Sequence, residues 1–252
     1  DFIYNITNNV NSKLIPLDNN FIEKLWSADK NTKRVKAPMD KIKVYPIEYA
    51  GEGFKDKVDK IKSKLDTKVS YYLLSRSDQI AWLLNLRGND TKHTPIFMAY
   101  ALISFDNNKN SVLWVLEDKI TQDVKDYCKQ NKIDLKNYAN FEDDLKSFDF
   151  LDSDLDIDKV LYESANISKA CFDSLNIKDA NKICDTNLTL DKIKASKNKV
   201  QQNGMRKAHL LDGIALVKGI YKLEQDWQNL DEFSAASVIN NARLSNKSCL
   251  DL

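Results

Sequence analysis

Histidine, glycine and proline are scarce in this chain, and these shortages exclude several kinds of active site. The 252 residues include two histidines, six glycines and four prolines. The histidines, His93 and His209, are too far apart for a His-Glu-x-x-His zinc motif, and the glycines form no Gly-x-Ser-x-Gly, Walker-type or Gly-x-Gly-x-x-Gly motif. The sequence therefore carries no common short motif for hydrolysis, nucleotide binding or hydride transfer.

The chain also lacks a surplus of charge and a long hydrophobic run. With 38 basic and 37 acidic residues, it has no overall field that would attract nucleic acid. No apolar run approaches the roughly 18–20 residues of a membrane span. We therefore expect neither a nucleic-acid partner nor a membrane partner. The first residue is not methionine and no signal-peptide pattern follows it, so we expect a piece of a longer polypeptide.

The four cysteines form no Cys-x-x-Cys pair, and no histidine lies at zinc-finger spacing from them. They are Cys128, Cys171, Cys184 and Cys249. In a chain of this size the pattern is typical of reduced, buried thiols and a cytoplasmic setting. The acidic run at residues 152–158 lacks the glycine and the closing glutamate of a calcium loop, so we interpret it as a solvated loop.

Hydrophobic periodicity predicts an α/β domain between about residues 50 and 190. Helical and strand-like segments alternate, with one hairpin, which favours a mixed sheet with flanking helices. Ser77 is the predicted cap of one helix and Gly88 its predicted stop. We predict helices at 54–65, 78–86, 120–130, 141–148 and 167–175, and strands at 69–74, 96–105, 112–116 and 159–162, with a short apolar run near 133.

After residue 190 the pattern changes to two long helices. Residues 196–228 contain no proline and predict a helix of roughly 45–50 Å with one apolar face. Asp231 is a candidate cap for a second helix. His209 lies one turn before Asp212, a spacing that predicts a structural His–Asp contact. Two such helices without a sheet to cover are half of a domain.

Two groups of motifs resemble the three-domain Xaa-Pro aminopeptidases of the creatinase and prolidase superfamily. Asp78-Gln-Ile-Ala-Trp-Leu-Leu-Asn-Leu-Arg-Gly88, followed by Pro95-Ile-Phe-Met-Ala-Tyr-Ala-Leu-Ile103, is similar to their middle domain. Ile193-Lys-Ala-Ser-Lys-Asn198, Gly204-Met-Arg-Lys-Ala-His209, Asp212-Gly-Ile-Ala-Leu216 and Glu232-Phe-Ser-Ala-Ala236 resemble, in order, the segment that enters the catalytic domain.

The resemblance implies a domain order and a fold. Residues 1–45 would be the end of domain I and its connector. Residues 46–190 would be domain II, a ribonuclease-H-like α/β fold of the creatinase N-terminal type. Residues 191–252 would be the incomplete start of domain III, the "pita-bread" catalytic domain.

The resemblance also implies a function for the parent protein. That protein would remove the N-terminal residue that precedes proline, acting on peptides with proline at the second position. It would use two divalent metals, manganese or zinc, and would form a homodimer. The family's metal ligands, two aspartates, a histidine and two glutamates, lie in a stretch expected after Leu252. We therefore expect this segment to bind no catalytic metal and to be inactive alone.

Arg87 and His93 are the candidate residues at the mouth of the active site. The alternative for Arg87 is an arginine that neutralises the C-terminus of the preceding helix, and the alternative for His93 is a solvent-exposed loop residue. Two other classes of function stay open. One is a non-catalytic, protein-binding relative, like the aminopeptidase-like domain of some histone-chaperone subunits. The other is an interaction protein made of domain II alone.

Overall fold

The computed structural model describes residues 15, 17, 20–29, 36–65, 68–148, 159–186 and 190–249. The chain divides into two compact units, Asp1–Pro38 and Met39–Leu252. The first unit contains helix α1 (Phe21–Ala28), which begins at Asn20, whose side-chain oxygen accepts a hydrogen bond from the amide of Ile22 at 3.0 Å. No residue of α1 is buried.

The second unit contains a large mixed sheet and a short ribbon. The large sheet has the strand order β6-β5-β4-β2-β7-β8. Within it β4 is antiparallel to β2 and β5, whereas β5–β6, β2–β7 and β7–β8 are parallel pairs. The strands are β1 (Lys43–Val44), β2 (Val69–Leu74), β3 (Leu86–Arg87), β4 (Ala99–Ser104), β5 (Ser111–Val115), β6 (Ile133–Asn137), β7 (Lys159–Tyr162) and β8 (Ile183–Asp185).

Helices cover the sheet and continue the chain beyond it. They are α2 (Ile47–Ala50), α3 (Phe54–Lys62), α4 (Ser77–Leu83), α5 (Gln122–Gln130), α6 (Phe141–Lys146), α7 (Lys169–Ser174), α8 (Leu190–Ala195), α9 (Lys199–Asp226) and α10 (Glu232–Leu244). Short 3-10 helices lie at Glu117–Lys119, Tyr138–Asn140, Ala180–Lys182 and Trp227–Asn229. The predicted α/β domain with a mixed sheet is confirmed.

Both faces of the sheet are buried, which explains the nearly continuous apolar runs of its central strands. Side chains alternate along a strand, so Leu113 and Val115 of β5 enter one core while Val112 and Trp114 enter the other. The larger core contains apolar side chains of α3, α4, α5 and α8, and the smaller one those of α6 and α7.

Helix α4 ends earlier than the sequence predicts. Arg76, not Ser77, occupies the N-cap position, and the helix stops at Leu83. The chain then turns at Asn85, whose φ of 50° lies in the left-handed region that asparagine tolerates. Residues Leu86–Arg87 form β3, which pairs antiparallel with β1. Ile42, just before β1, is fully buried.

Helices α9 and α10 form a hairpin. The 28-residue α9 begins at Asn198, whose side chain accepts a hydrogen bond from the amide of Gln201 at 2.9 Å. Asp212 pairs with Arg243 of α10 (Nε to Oδ1, 2.7 Å), so the predicted partner of Asp212, His209, is replaced by an arginine from the other helix. Asp231 caps α10, as predicted.

Candidate functional site

The segment at residues 85–98 connects β3 to β4 and carries both candidate residues. After β3, the chain makes a turn at Thr91–Thr94, where the amide of Thr94 donates to the carbonyl of Thr91 at 3.0 Å. The segment then returns beside its own start, and this return needs Gly88. A Cβ at Gly88 would lie 2.6 Å from Cβ of Phe97 and 2.9 Å from the carbonyl oxygen of Ile96.

Arg87 is half-buried and turns back onto helix α4. Its Nη1 donates to the carbonyls of Ala81 at 2.6 Å and Leu86 at 2.9 Å. Its guanidinium carbon lies 4.2 Å from the centroid of the Tyr45 ring, and burial lowers the pKa of Arg87. These contacts satisfy a carbonyl in the last turn of α4, which is the structural role considered for this residue. Its role toward a substrate stays a prediction.

His93 lies at the exposed tip of the turn. Its φ of 63° places it in the left-handed region, and its side chain is exposed. Within the described residues no hydrogen bond joins His93 to Arg87, whose guanidinium turns back onto helix α4 and the Tyr45 ring. An exposed imidazole on a turn can reach a ligand that approaches from solvent, but no described contact assigns it that role.

A buried ion pair fixes the middle of the segment. The ammonium group of Lys119, from the 3-10 helix after β5, pairs with Asp90, and the two side chains are 0% and 3% exposed. The second carboxylate oxygen of Asp90 accepts a hydrogen bond from the amide of Met98 at 2.7 Å. The Asp90 amide donates to the carbonyl of Ile96 at 3.0 Å. Asp90 therefore ties the outgoing and returning halves of the segment together.

A second buried lysine holds the start of the segment. Lys57 of α3 is 1% exposed, and its Nζ donates to the carbonyl of Trp82 at 2.6 Å and to Oδ1 of Asn85 at 2.5 Å. Burial, together with the nearby guanidinium of Arg87, lowers the pKa of Lys57 to about 7. Asn85 also donates to the carbonyl of Glu52 at 2.9 Å. The backbone after α4 is thus anchored by side chains from outside it.

A separate polar cluster attaches α8 to the sheet. Glu163 follows β7, is 5% exposed, and accepts hydrogen bonds from Tyr72 Oη (2.5 Å), the Leu190 amide (3.2 Å), Gln79 Nε2 (3.3 Å) and Asn166. Burial and the hydrogen bond to Glu163 raise the pKa of Tyr72. Since α8 leads directly into α9, this cluster fixes where the long helix leaves the sheet.

The described residues do not form a centre for the divalent metals that the resemblance implies. Within the described ranges no three His, Cys, Asp or Glu side chains converge as metal ligands. The buried carboxylates of Asp90 and Glu163 are already occupied by protein donors. The acidic run at 152–158 lies outside the described residues.

Sequence reasoning missed Lys57, Lys119 and Glu163. For Lys57 a signal existed, because it lies three residues after Phe54 and four before Ile61, on the apolar face of α3. A lysine on that face is either paired or costly. Lys119 lies in the 3-10 helix after β5 and Glu163 directly follows β7, and no periodic pattern marks either residue as buried.

The mixed sheet, the helices on both faces and the helical hairpin that follows define an α/β domain joined to an all-α extension. Residues 33–201 match the family model described as the creatinase/prolidase N-terminal domain. The chain belongs to this family.

Curated relatives extend the likeness along nearly the whole chain. It is 31% identical over 248 residues to the "Probable Xaa-Pro aminopeptidase P" of Paracoccidioides lutzii, covering 95% of this chain and 39% of that protein. It is 31% identical over 237 residues to the protein of the same name from Talaromyces stipitatus, covering 92% of this chain and 35% of that protein. The chain therefore spans less than two fifths of the length of these relatives.

A solved structure has the same fold. The X-prolyl aminopeptidase of Caenorhabditis elegans, described as a cytosolic enzyme with a di-nuclear active site, matches with a TM-score of 0.82 at 19% identity. The match covers 98% of this chain and 39% of that one. The described helices, α9 included, do not combine the length and the apolar character that crossing a bilayer requires.

Proposed function

We propose that the chain is the supporting part of an aminopeptidase that removes an N-terminal residue preceding proline, and that catalysis takes place outside these 252 residues. The observation that carries the proposal is the alignment of 248 residues with a probable Xaa-Pro aminopeptidase P at 31% identity. The parent would take two divalent metals, manganese or zinc, in the region outside this chain, where paired metals activate water for hydrolysis.

The proposed domain order is the end of domain I at 1–45, domain II at 46–190 and the start of the catalytic domain at 191–252. Exposed apolar side chains on the helical hairpin support the last assignment. Leu210, Val217 and Tyr221 of α9 are 65%, 68% and 63% exposed, and Phe233 of α10 is 84% exposed. Apolar area of this kind is typical of a surface that another part of the protein covers.

We place the parent in the cytoplasm. The buried thiols of Cys128 and Cys171 support a reducing setting, and burial raises the pKa of Cys128 to about 12, which keeps it protonated and unreactive. We propose that the full-length protein is a homodimer whose contacts lie largely outside this chain.

Within the parent, the segment at 85–98 would border the approach of the peptide to the active site. His93 would meet the substrate, because it is exposed at the tip of the turn. Arg87, at the start of the segment, would act on the substrate through its positive charge. Domain II would then narrow the access and favour short, unfolded peptides.

This placement predicts the kinetics of two variants of the full-length protein. In His93→Asn, asparagine keeps the left-handed turn but removes the imidazole, and in Arg87→Ala the guanidinium is lost. We expect each variant to raise KM roughly three- to tenfold toward an Xaa-Pro peptide with a smaller change in kcat, since a lost substrate contact worth about 1 kcal/mol changes affinity by roughly fivefold.

Lys125→Ala is the matched control, because Lys125 is exposed on α5, away from the segment along the chain. Its KM should equal that of the wild type. If His93→Asn and Arg87→Ala also leave KM unchanged, the segment does not border the substrate path, and the structural alternatives for both residues are correct.

A further inference from the structure

Two fully buried lysines donate hydrogen bonds to the same stretch of chain. Lys57 and Lys119 are 1% and 0% exposed and come from different elements, α3 and the 3-10 helix Glu117–Lys119. Both direct Nζ at residues 82–90, Lys57 at Trp82 and Asn85 and Lys119 at Asp90. Removing a lysine nitrogen from water is costly, and a methionine would fill the same space without that cost.

The contacts of Lys57 fix the direction in which the segment leaves helix α4. By donating to the Trp82 carbonyl, Lys57 occupies an acceptor at the open end of the helix. By donating to Oδ1 of Asn85, it orients the side-chain amide of this residue. The left-handed backbone of Asn85 is what turns the chain. The backbone carbonyl of Asn85 accepts a hydrogen bond from the backbone amide of Tyr45 at 2.7 Å.

The contacts of Lys119 close the loop. Lys119 binds one carboxylate oxygen of Asp90, and the other oxygen accepts the amide of Met98, the last residue before β4. The 3-10 helix is itself held to the β1 side of the domain, since the amide of Ile42 donates to the carbonyl of Lys119 at 2.9 Å. The segment that carries His93 is therefore held by hydrogen bonds near its start, at Asn85, and near its end, at Met98.

We propose that Lys57 and Lys119 are positioning residues that hold the segment at 85–98 in one arrangement and so present the turn at Thr91–Thr94 to the substrate. The inference rests on the proposed function for its final step, the approach of a peptide. Its first step, the fixing of the segment, concerns the structure alone. In some proteins buried polar or charged groups fix one arrangement of the chain at a cost in stability.

Two variants of the full-length protein separate geometry from stability. The double variant Asp90→Leu with Lys119→Met replaces the ion pair by apolar groups, so no charge is left buried and unpaired. Lys57→Met leaves only neutral acceptors behind. Lys125→Met, an exposed lysine on α5, is the control for the same exchange on the surface.

Hydrogen exchange and kinetics are measured on each variant. The amides of Thr94 and Ile96 are the reporters, because they bond within the segment and not to the side chain of Asp90. We expect the double variant to melt within a few degrees of the wild type, to exchange these two amides at least tenfold faster, and to raise KM several-fold with little change in kcat. Lys57→Met should also speed exchange at Thr94 and Ile96, whereas Lys125→Met should change neither exchange nor KM.

Unchanged exchange at Thr94 and Ile96 in both variants would overturn the positioning role. Faster exchange with an unchanged KM would uphold the positioning of the segment and overturn its proposed place beside the substrate. A fall in kcat alone, with wild-type exchange, would also count against the positioning role, since it would locate the effect in the catalytic region.

Discussion

The burial of Lys57 should make the free energy of unfolding depend on pH. The pKa of a lysine is 10.5 in the unfolded chain, and burial with the nearby Arg87 lowers the pKa of Lys57 in the folded chain to about 7. Glu52 opposes this shift and Lys60 adds to it. Between about pH 7 and 10.5 the unfolded state therefore binds more protons, and stability rises with pH across that window.

The prediction is a pH-dependent difference between wild type and Lys57→Met. From pH 7 to 8.5, the free energy of unfolding of the wild type should gain about 1.5 kcal/mol relative to the variant, because one pKa unit corresponds to about 1.36 kcal/mol. Urea denaturation at several pH values measures it. The difference between the two proteins, rather than either curve, is the readout, because the other titrating groups, Cys128 among them, are present in both proteins and cancel. A difference that stays flat with pH would mean that Lys57 keeps its ordinary pKa.

Single residues also mark where sequence reasoning reached its limit. Asn85 was one of the letters that identified the family, yet its left-handed backbone and its bond to Lys57 are visible only in three dimensions. Arg87 was predicted at the end of the helix at 78–86 but lies in strand β3, after α4 has ended at Leu83. The Tyr45 ring against its guanidinium follows β1, more than 40 positions earlier in the chain. No local pattern encodes such a partner.

At the scale of elements, Gly51 joins helix α2 to the start of α9. Gly51 has a φ of 72°, and a Cβ there would lie 2.6 Å from Oδ1 of Asn198 and 2.8 Å from Cβ of Val200. Asn198 caps α9 and donates through Nδ2 to the carbonyl of Ala50 at 2.8 Å. The close approach of these two backbones therefore depends on the missing side chain.

Gly51→Ala should lower the free energy of unfolding by about 1–3 kcal/mol, through overpacking and an unfavourable φ. Gly204→Ala on α9 is the control, since nothing lies within 4 Å of the added methyl group, and it should raise stability by up to about 1 kcal/mol as alanine favours a helix interior. Thermal unfolding followed by circular dichroism compares them. Equal melting temperatures for the two variants would show that the side chains around Gly51 can move to accommodate a methyl group.

Long elements with regular patterns were predictable, and short ones set by distant partners were not. The six-residue strand at Val69–Leu74 matches its prediction, and α9 lies within the predicted 196–228. The two-residue strands β1 and β3 were missed, because each exists only through pairing with the other. The order of strands in the sheet also depends on contacts far apart in sequence, which periodicity does not carry.

At the scale of the whole molecule, the chain combines a sheet with well-buried cores and a helical hairpin with exposed apolar side chains. The sheet has a packed core on each face, and its buried polar groups are largely paired. The helical hairpin buries only Ala215 and Gly219 of α9 and Ala242 of α10, while large apolar side chains on it stay exposed. This asymmetry is consistent with the proposed division into a supporting domain and the first helices of a second domain.

The most direct test compares the 252-residue chain with the full-length protein in one assay. Both are purified, supplied with manganese, and given a peptide with proline at the second position, and release of the first residue is measured. We expect release by the full-length protein and none by the 252-residue chain. Release by the 252-residue chain alone would show that catalysis does not require residues outside it. A folded full-length protein that binds manganese and leaves the peptide intact would show that the protein is not an Xaa-Pro aminopeptidase.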